Sequence, residues 1–289
     1  MSAGSHDSLS APGSPSPRRD AAIGGIGGLA GGLLGVGGGF VLVPLQVIWA
    51  RRDQHRAIGT SLTAILPIAL VAAAAYYFGS NVPQANLTVA FYLALGGVFG
   101  AVIGARAAQR ISDRALKVIV AIMLLAAGLK ELYDALAGSA PHLVGAAVPV
   151  FEAKDYALIA AGGMGIGVVS GLTGVGGGIL IVPLLAIGFG ISQRVAQGTS
   201  LIAILPTAAI GALTLQRSGN VDLRAASWMA AAGVPAALLG SALALWLPAR
   251  ALGGLFGVFL LVAATRLWPR GEHGLHTTEP LESSKRQAR

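Results

Sequence analysis

Long apolar runs alternate along this chain with short polar stretches that hold most of the charged residues. The runs fall at about 21–49, 57–78, 87–108, 115–137, 156–190, 196–216, 225–246 and 251–268. Most lie near the ~20 residues that a helix needs to cross a bilayer. None alternates apolar with polar positions, as the strands of a β-barrel do. The pattern predicts an all-α integral membrane protein. Composition agrees: 54% of the residues are hydrophobic and 11% charged, against about 25% charged in soluble domains.

The eight runs are four, then four again. "GLLGVGGGFVLVPL" (Gly32 to Leu45) returns as "GLTGVGGGILIVPL" (Gly171 to Leu184), 139 residues later. "AIGTSLTAILP" (Ala57 to Pro67) returns as "AQGTSLIAILP" (Ala196 to Pro206) at the same offset. Gly97, Gly104, Arg114 and Ala115 match Gly233, Gly240, Arg250 and Ala251 at an offset of 136, as a three-residue deletion would give. The chain therefore reads as two homologous membrane repeats, 20–137 and 156–268, joined by a linker at 138–155. Tails at 1–19 and 269–289 are polar and expected to be disordered. Residues 1–19 lack the basic start and short apolar core of a secretory signal.

Charge decides how the repeats are oriented. If every run is a single span, membrane-flanking Lys and Arg divide nine against eight, which is no bias. If the Gly-rich run of each half enters and returns as two half-helices, the division is thirteen against four. That is a positive-inside signal. The segments 21–34 and 40–49 are also short for a core about 30 Å thick at 1.5 Å per residue. Inverted repeats with a broken, re-entrant first helix are therefore expected, with a kinked single span as the alternative.

The glycines divide by spacing. Gly24, Gly28 and Gly32 share a helix face, as do Gly163, Gly167 and Gly171, and small residues four apart let membrane helices approach closely. Gly35, Gly37, Gly38 and Gly39 are poor helix material. A half-helix starting near Phe40 would aim free N–H groups and its positive dipole end into the break, which suits an anion. Gly174, Gly176, Gly177 and Gly178 would supply the second copy. The candidate substrate-binding groups are the amides of Gly37, Gly38, Gly39, Gly176, Gly177 and Gly178. The hydroxyls of Thr60, Ser61, Thr199 and Ser200 join them as side-chain donors, though as caps or interhelix bonds they would serve structure alone. Pro67 and Pro206 are expected to kink or end their helices.

Other chemistries find little support. The twelve Asp and Glu and the five His all read as tail or loop residues, so no intramembrane proton relay is evident. No cluster suits a metal, no serine has a buried base beside it, and there are no cysteines. No catalytic residues, cofactor or metal are assigned. The net charge of +8 comes from Lys and Arg at segment ends, so nucleic-acid binding is set aside.

The paired "GxxGVGGGxxxVPL" and "GTSLxAILP" blocks resemble the TauE/SafE family, the sulfite exporter or toluene-sulfonate uptake permeases, over about residues 20–268. The resemblance implies a multi-pass permease of the bacterial inner membrane for sulfur-containing anions such as sulfite, sulfoacetate or sulfonates. The expected partners are a small anionic substrate and the lipid bilayer, with the oligomeric state open. The alternative is a non-transporting membrane protein, an intramembrane enzyme or an assembly partner.

Overall fold

The computed structural model describes residues 16–107, 113–137, 151–173 and 177–267. These form helices α1 (Pro17–Leu34), α2 (Gly39–Ile48), α3 (Gln54–Phe78), α4 (Leu87–Ala107) and α5 (Asp113–Ala137). The second half repeats the order with α6 (Ala153–Thr173), α7 (Gly178–Pro183), α8 (Gln193–Arg217), α9 (Leu223–Trp246) and α10 (Ala249–Leu267). A π-helical turn, Leu184–Gly188, continues α7 after Pro183. By length and composition, α3, α8, α9 and α10 can each cross a membrane. Large apolar side chains such as Phe91, Phe99, Leu239 and Trp246 point outward, as a lipid-facing surface requires.

The chain doubles back at the first glycine cluster. Arg19, at the start of α1, donates from Nη1 to the carbonyl of Trp49, just past the end of α2, at 3.1 Å. Arg52 reaches Asp20 across the same base, with Nη2 2.8 Å from Oδ1. At the other end, a Cβ on Gly31 would lie 2.6 Å from the amide nitrogen of Gly38. A straight or kinked single span would hold Arg19 and Trp49 at opposite ends. The ten residues of α2 cover only about 15 Å at 1.5 Å per residue. The second hairpin has the same form: Gly177 packs on Ile166 and Ser170 of α6, and Gly162 on Leu184.

The corresponding helices of the two repeats run antiparallel. In the α3–α8 pair, Gly59 meets Leu215, Gly211 meets Leu62, and Gly198 meets Tyr76. In the α5–α10 pair, Gly128 meets Leu261, Gly253 meets Glu131, and Gly254 meets Ala135. The repeats are therefore inverted, since α3 and α8 carry the same sequence block in opposite directions.

The halves are also interlocked. Gly24, Gly28 and Gly32 of α1 lie on the backbone of α9 at Met229, Gly233 and Ala237. Symmetrically, Gly163 and Gly167 of α6 lie on α4 at Leu93 and Gly97. Each first helix is thus seated in the opposite half, parallel to its host. A side chain on any of these glycines would strike backbone, which explains the small-residue stripes. Gly171 lies further along the same helix, α6.

Other expectations need adjustment. Pro67 and Pro206 end neither helix: α3 runs on to Phe78 and α8 to Arg217. Helix α1 begins at Pro17, so Arg18 and Arg19 belong to it rather than to a tail. Asp20 is a buried member of α1 and Glu131 a buried member of α5. Reading every carboxylate as tail or loop was therefore too simple: Arg52 lies close enough to pair with Asp20 inside the fold.

Candidate functional site

The breaks are made by left-handed backbone, which only glycine adopts at little cost. Gly35 ends α1 at φ 69°, and Gly37 and Gly38 follow at 73° and 81°. Gly39 is the first residue of α2. In the second half Gly177 has φ 71° and Gly178 opens α7. Gly174 and Gly176 lie outside the described residues. No side chain caps the N-terminus of α2 or of α7, so the first-turn N–H groups face the breaks without a side-chain acceptor.

The two breaks meet. A Cβ on Gly178 would lie 2.7 Å from the carbonyl oxygen of Val36, in the loop of the first break. Gly37 faces Ile204 of α8 and, at 3.4 Å from its Cβ position, Ile65 of α3. Ile65 and Ile204 occupy the same place in the repeat, 139 residues apart. The pair thus marks where the pseudo-twofold passes through the centre of the protein. Beside the first break lies an apolar surface crevice, lined by Leu34, Val36, Phe40 and Phe259 among others.

The four hydroxyls separate into two kinds. Thr60 Oγ1 accepts from the backbone N–H of Asp222 at 3.0 Å, and Thr199 Oγ1 accepts from that of Asn86 at 2.9 Å. Each threonine thereby pins the loop before a helix of the other half, the α8–α9 loop and the α3–α4 loop. Ser61 and Ser200 stay nearer the hairpins. Ser61 Oγ accepts from Gln46 Nε2 at 2.6 Å, while the Ser200 hydroxyl points to the carbonyl of Gly178 at 3.5 Å. All four residues are buried.

Three buried polar side chains beside the first hairpin escaped sequence reasoning. Gln46 closes the base of α2, donating to Ser61 and to the carbonyl of Ala57 and accepting from Arg52 Nη1 at 3.2 Å. Tyr76 of α3 places its hydroxyl 2.9 Å from Gln197 Oε1 and 3.1 Å from the Gly32 carbonyl. Gln197 of α8 passes directly over Gly35. A lone glutamine inside an apolar run was the available signal, and both Gln46 and Gln197 carried it.

The polar set of Asp20, Gln46 and Arg52 belongs to one half only. The repeat positions of Asp20, Gln46 and Arg52 in the second half are Ile159, Leu185 and Ile191 at the offset of 139. Those three are buried to 0%, 0% and 1% exposure. At these three positions, one face of the protein is therefore latched by charge and hydrogen bonds, and the opposite face by apolar side chains. Arg52 and Arg56 extend the latch towards Asp222 in the other half, at 4.0 and 3.7 Å. Among the described residues there is no group of His, Asp and Glu arranged to hold a metal.

The chain is similar to known membrane proteins. It is 29% identical over 238 residues to the probable membrane transporter protein YunE of Bacillus subtilis, covering 76% of this chain and 84% of that one. It is 29% identical over 245 residues to a probable membrane transporter protein of Xylella fastidiosa, covering 83% and 90%. No solved structure matches it significantly. The family model described as sulfite exporter TauE/SafE matches residues 2–131 and 159–288, once per repeat. Both matches run into the stretches read as tails, so the likeness extends beyond 20–268. With inverted repeats, paired re-entrant hairpins and a family match in each repeat, the chain is a multi-pass membrane transporter and belongs to the TauE/SafE sulfite exporter family.

Proposed function

We infer that this transporter is a permease for small oxyanions, sulfur-containing ones such as sulfite and organosulfonates such as sulfoacetate foremost, in the bacterial inner membrane. The observation that carries the reading is the meeting of two inverted hairpin tips at the Val36–Gly178 contact. Half-helices that enter from opposite sides and point uncapped N-termini at a shared midplane suit a negatively charged substrate. The amides at Gly37–Gly39 and Gly176–Gly178 would surround the anion, with Ser61 and Ser200 beside them. Thr60 and Thr199 contribute indirectly, by holding the loops that tie the halves together.

Closely apposed tips leave the substrate no room, so transport requires the hairpins to part. Alternating access follows if one half rocks against the other and opens first one face, then the other. The test is uptake into proteoliposomes of sulfite, sulfoacetate, taurine and thiosulfate, with and without a pH gradient. Saturable movement of at least one sulfur oxyanion is expected. Purified, folded protein that moves none of them, and whose melting temperature none of them shifts, would overturn the reading.

A further inference from the structure

The buried polar atoms left without a hydrogen-bond partner are not scattered. Among the described residues they are Nε2 of Gln197, both amide atoms of Gln193, Nε of Arg194 and Oγ of Ser241. Three of these four residues stand at the start of α8. Positions three and four apart are neighbours on a helix surface, so Gln193, Arg194 and Gln197 lie along one side. Buried polar groups in native proteins are nearly always bonded, and a run of exceptions calls for a reason.

The bare atoms are directed rather than loose. Tyr76 lies 2.9 Å from Gln197 Oε1 and holds that end of the amide, which leaves Nε2 bare. Arg194 Nη2 is tied to the carbonyl of Leu247, which leaves Nε bare. The series begins at half-buried Arg194, at the end of α8 away from the arginine-rich Arg51–Arg56 loop, and leads to fully buried Gln197. Gln197 reaches the first break: a Cβ on Gly35 would lie 2.7 Å from its Cγ. No carboxylate among the described residues pairs with Arg194. The first half has no equivalent, since the matching positions are Gln54, His55 and Ile58, the first two exposed.

The bare groups of Arg194 and Gln197 are both N–H donors, and a ligand that accepts hydrogen bonds and carries negative charge satisfies the two together; a cation or an apolar solute does not. We propose that Arg194 and Gln197 are the oxyanion-recognition residues on this side of the protein. The guanidinium draws the anion in, and the amide N–H of Gln197 receives it at the break. Tyr76 is a positioning residue, acting through the Gln197 amide. The proposal rests on the oxyanion-permease reading and names the side chains that select its substrate.

The experiment compares wild type with Gln197→Leu, Gln197→Glu, Tyr76→Phe and Arg194→Met in sulfite and sulfoacetate uptake, with melting temperatures as the folding control. Loss of one donor to a charged ligand is expected to raise KM roughly ten- to hundredfold in Gln197→Leu. Gln197→Glu, of the same shape but carrying negative charge, should abolish uptake. Tyr76→Phe should raise KM by a smaller factor and leave kcat near wild type, a split that a merely structural tyrosine would not produce. Arg194→Met should raise KM and weaken its dependence on ionic strength. If Gln197→Leu fails to fold, half-buried Arg194 still carries the test. Wild type that transports while the Gln197 and Arg194 variants keep its KM overturns this assignment and leaves the permease reading standing. Wild type that transports no oxyanion overturns both.

Discussion

Gly28 and Gly25 are three residues apart on the same helix and differ in everything that matters for substitution. A Cβ on Gly28 would strike the carbonyl of Gly233, whereas one on Gly25 would meet nothing within 4 Å. Gly28→Ala is therefore expected to lose about 1–3 kcal/mol, as overpacking does when neither backbone can move aside. Gly25→Ala should be neutral or gain up to about 1 kcal/mol from helix propensity. Melting curves in detergent check both, and equal effects would remove the α1–α9 backbone contact from the account. The stripe was legible in the sequence as a four-residue spacing. Its partner was not, because spacing says that a helix comes close without saying which one.

At the scale of elements, the hairpins and the antiparallel α3–α8 pair make a joint statement about sidedness. Asp222 in the α8–α9 loop lies within ion-pair reach of Arg52 and Arg56 from the α2–α3 region, so those loops share one face. Asn86, preceding α4, donates from its backbone to Thr199 near the start of α8 on the other face. With no native cysteine in the chain, single cysteines report this directly. Gln54→Cys and Ser218→Cys should be labelled by a membrane-impermeant maleimide from one side, and Asn81→Cys from the opposite side. Asn81 and Ser218 labelled from the same side would restore parallel repeats. The charge count by itself points to inversion, because thirteen against four arises only if the first run of each half returns. Neither the continuation of α3 and α8 through their prolines nor the π turn after Pro183 was legible. Neighbouring helices can re-satisfy backbone groups that a proline frees, and that compensation is tertiary.

At the scale of the molecule, symmetry in backbone coexists with asymmetry in chemistry. Asp20, Gln46 and Arg52 form a buried polar latch where the second half places Ile159, Leu185 and Ile191. Removing one partner of a buried ion pair is costly, on the order of 3–5 kcal/mol, while replacing the whole set by apolar residues is often neutral. Asp20→Asn alone is thus expected to destabilise the protein more than Asp20→Ile, Gln46→Leu and Arg52→Ile combined. Thermal unfolding of the two variants decides it, and the reverse order would mean that the latch is not a coupled unit. Alternating access makes a second demand. Ile65 and Ile204 both pack on Gly37 at the centre, so bridging Ile65→Cys and Ile204→Cys with a bifunctional thiol reagent should block uptake. A cleavable bridge should restore uptake when reduced; full transport by the bridged protein would rule out separation of α3 and α8 there.

What the amino-acid order determined was everything set by local periodicity and by count. Membrane class, eight apolar runs, the duplication and the return of the chain at the glycines all follow from hydropathy, spacing and charge. The tertiary structure alone decided that each half's first helix is seated in the other half, that the two breaks touch, and that Thr60 and Thr199 bind loops. It alone revealed that Tyr76, Gln197 and Gly32 converge across 121 and 44 residues of chain. Periodicity acts over one or two helical turns, whereas those contacts depend on how two interlocked repeats pack, and that information is spread over the whole chain.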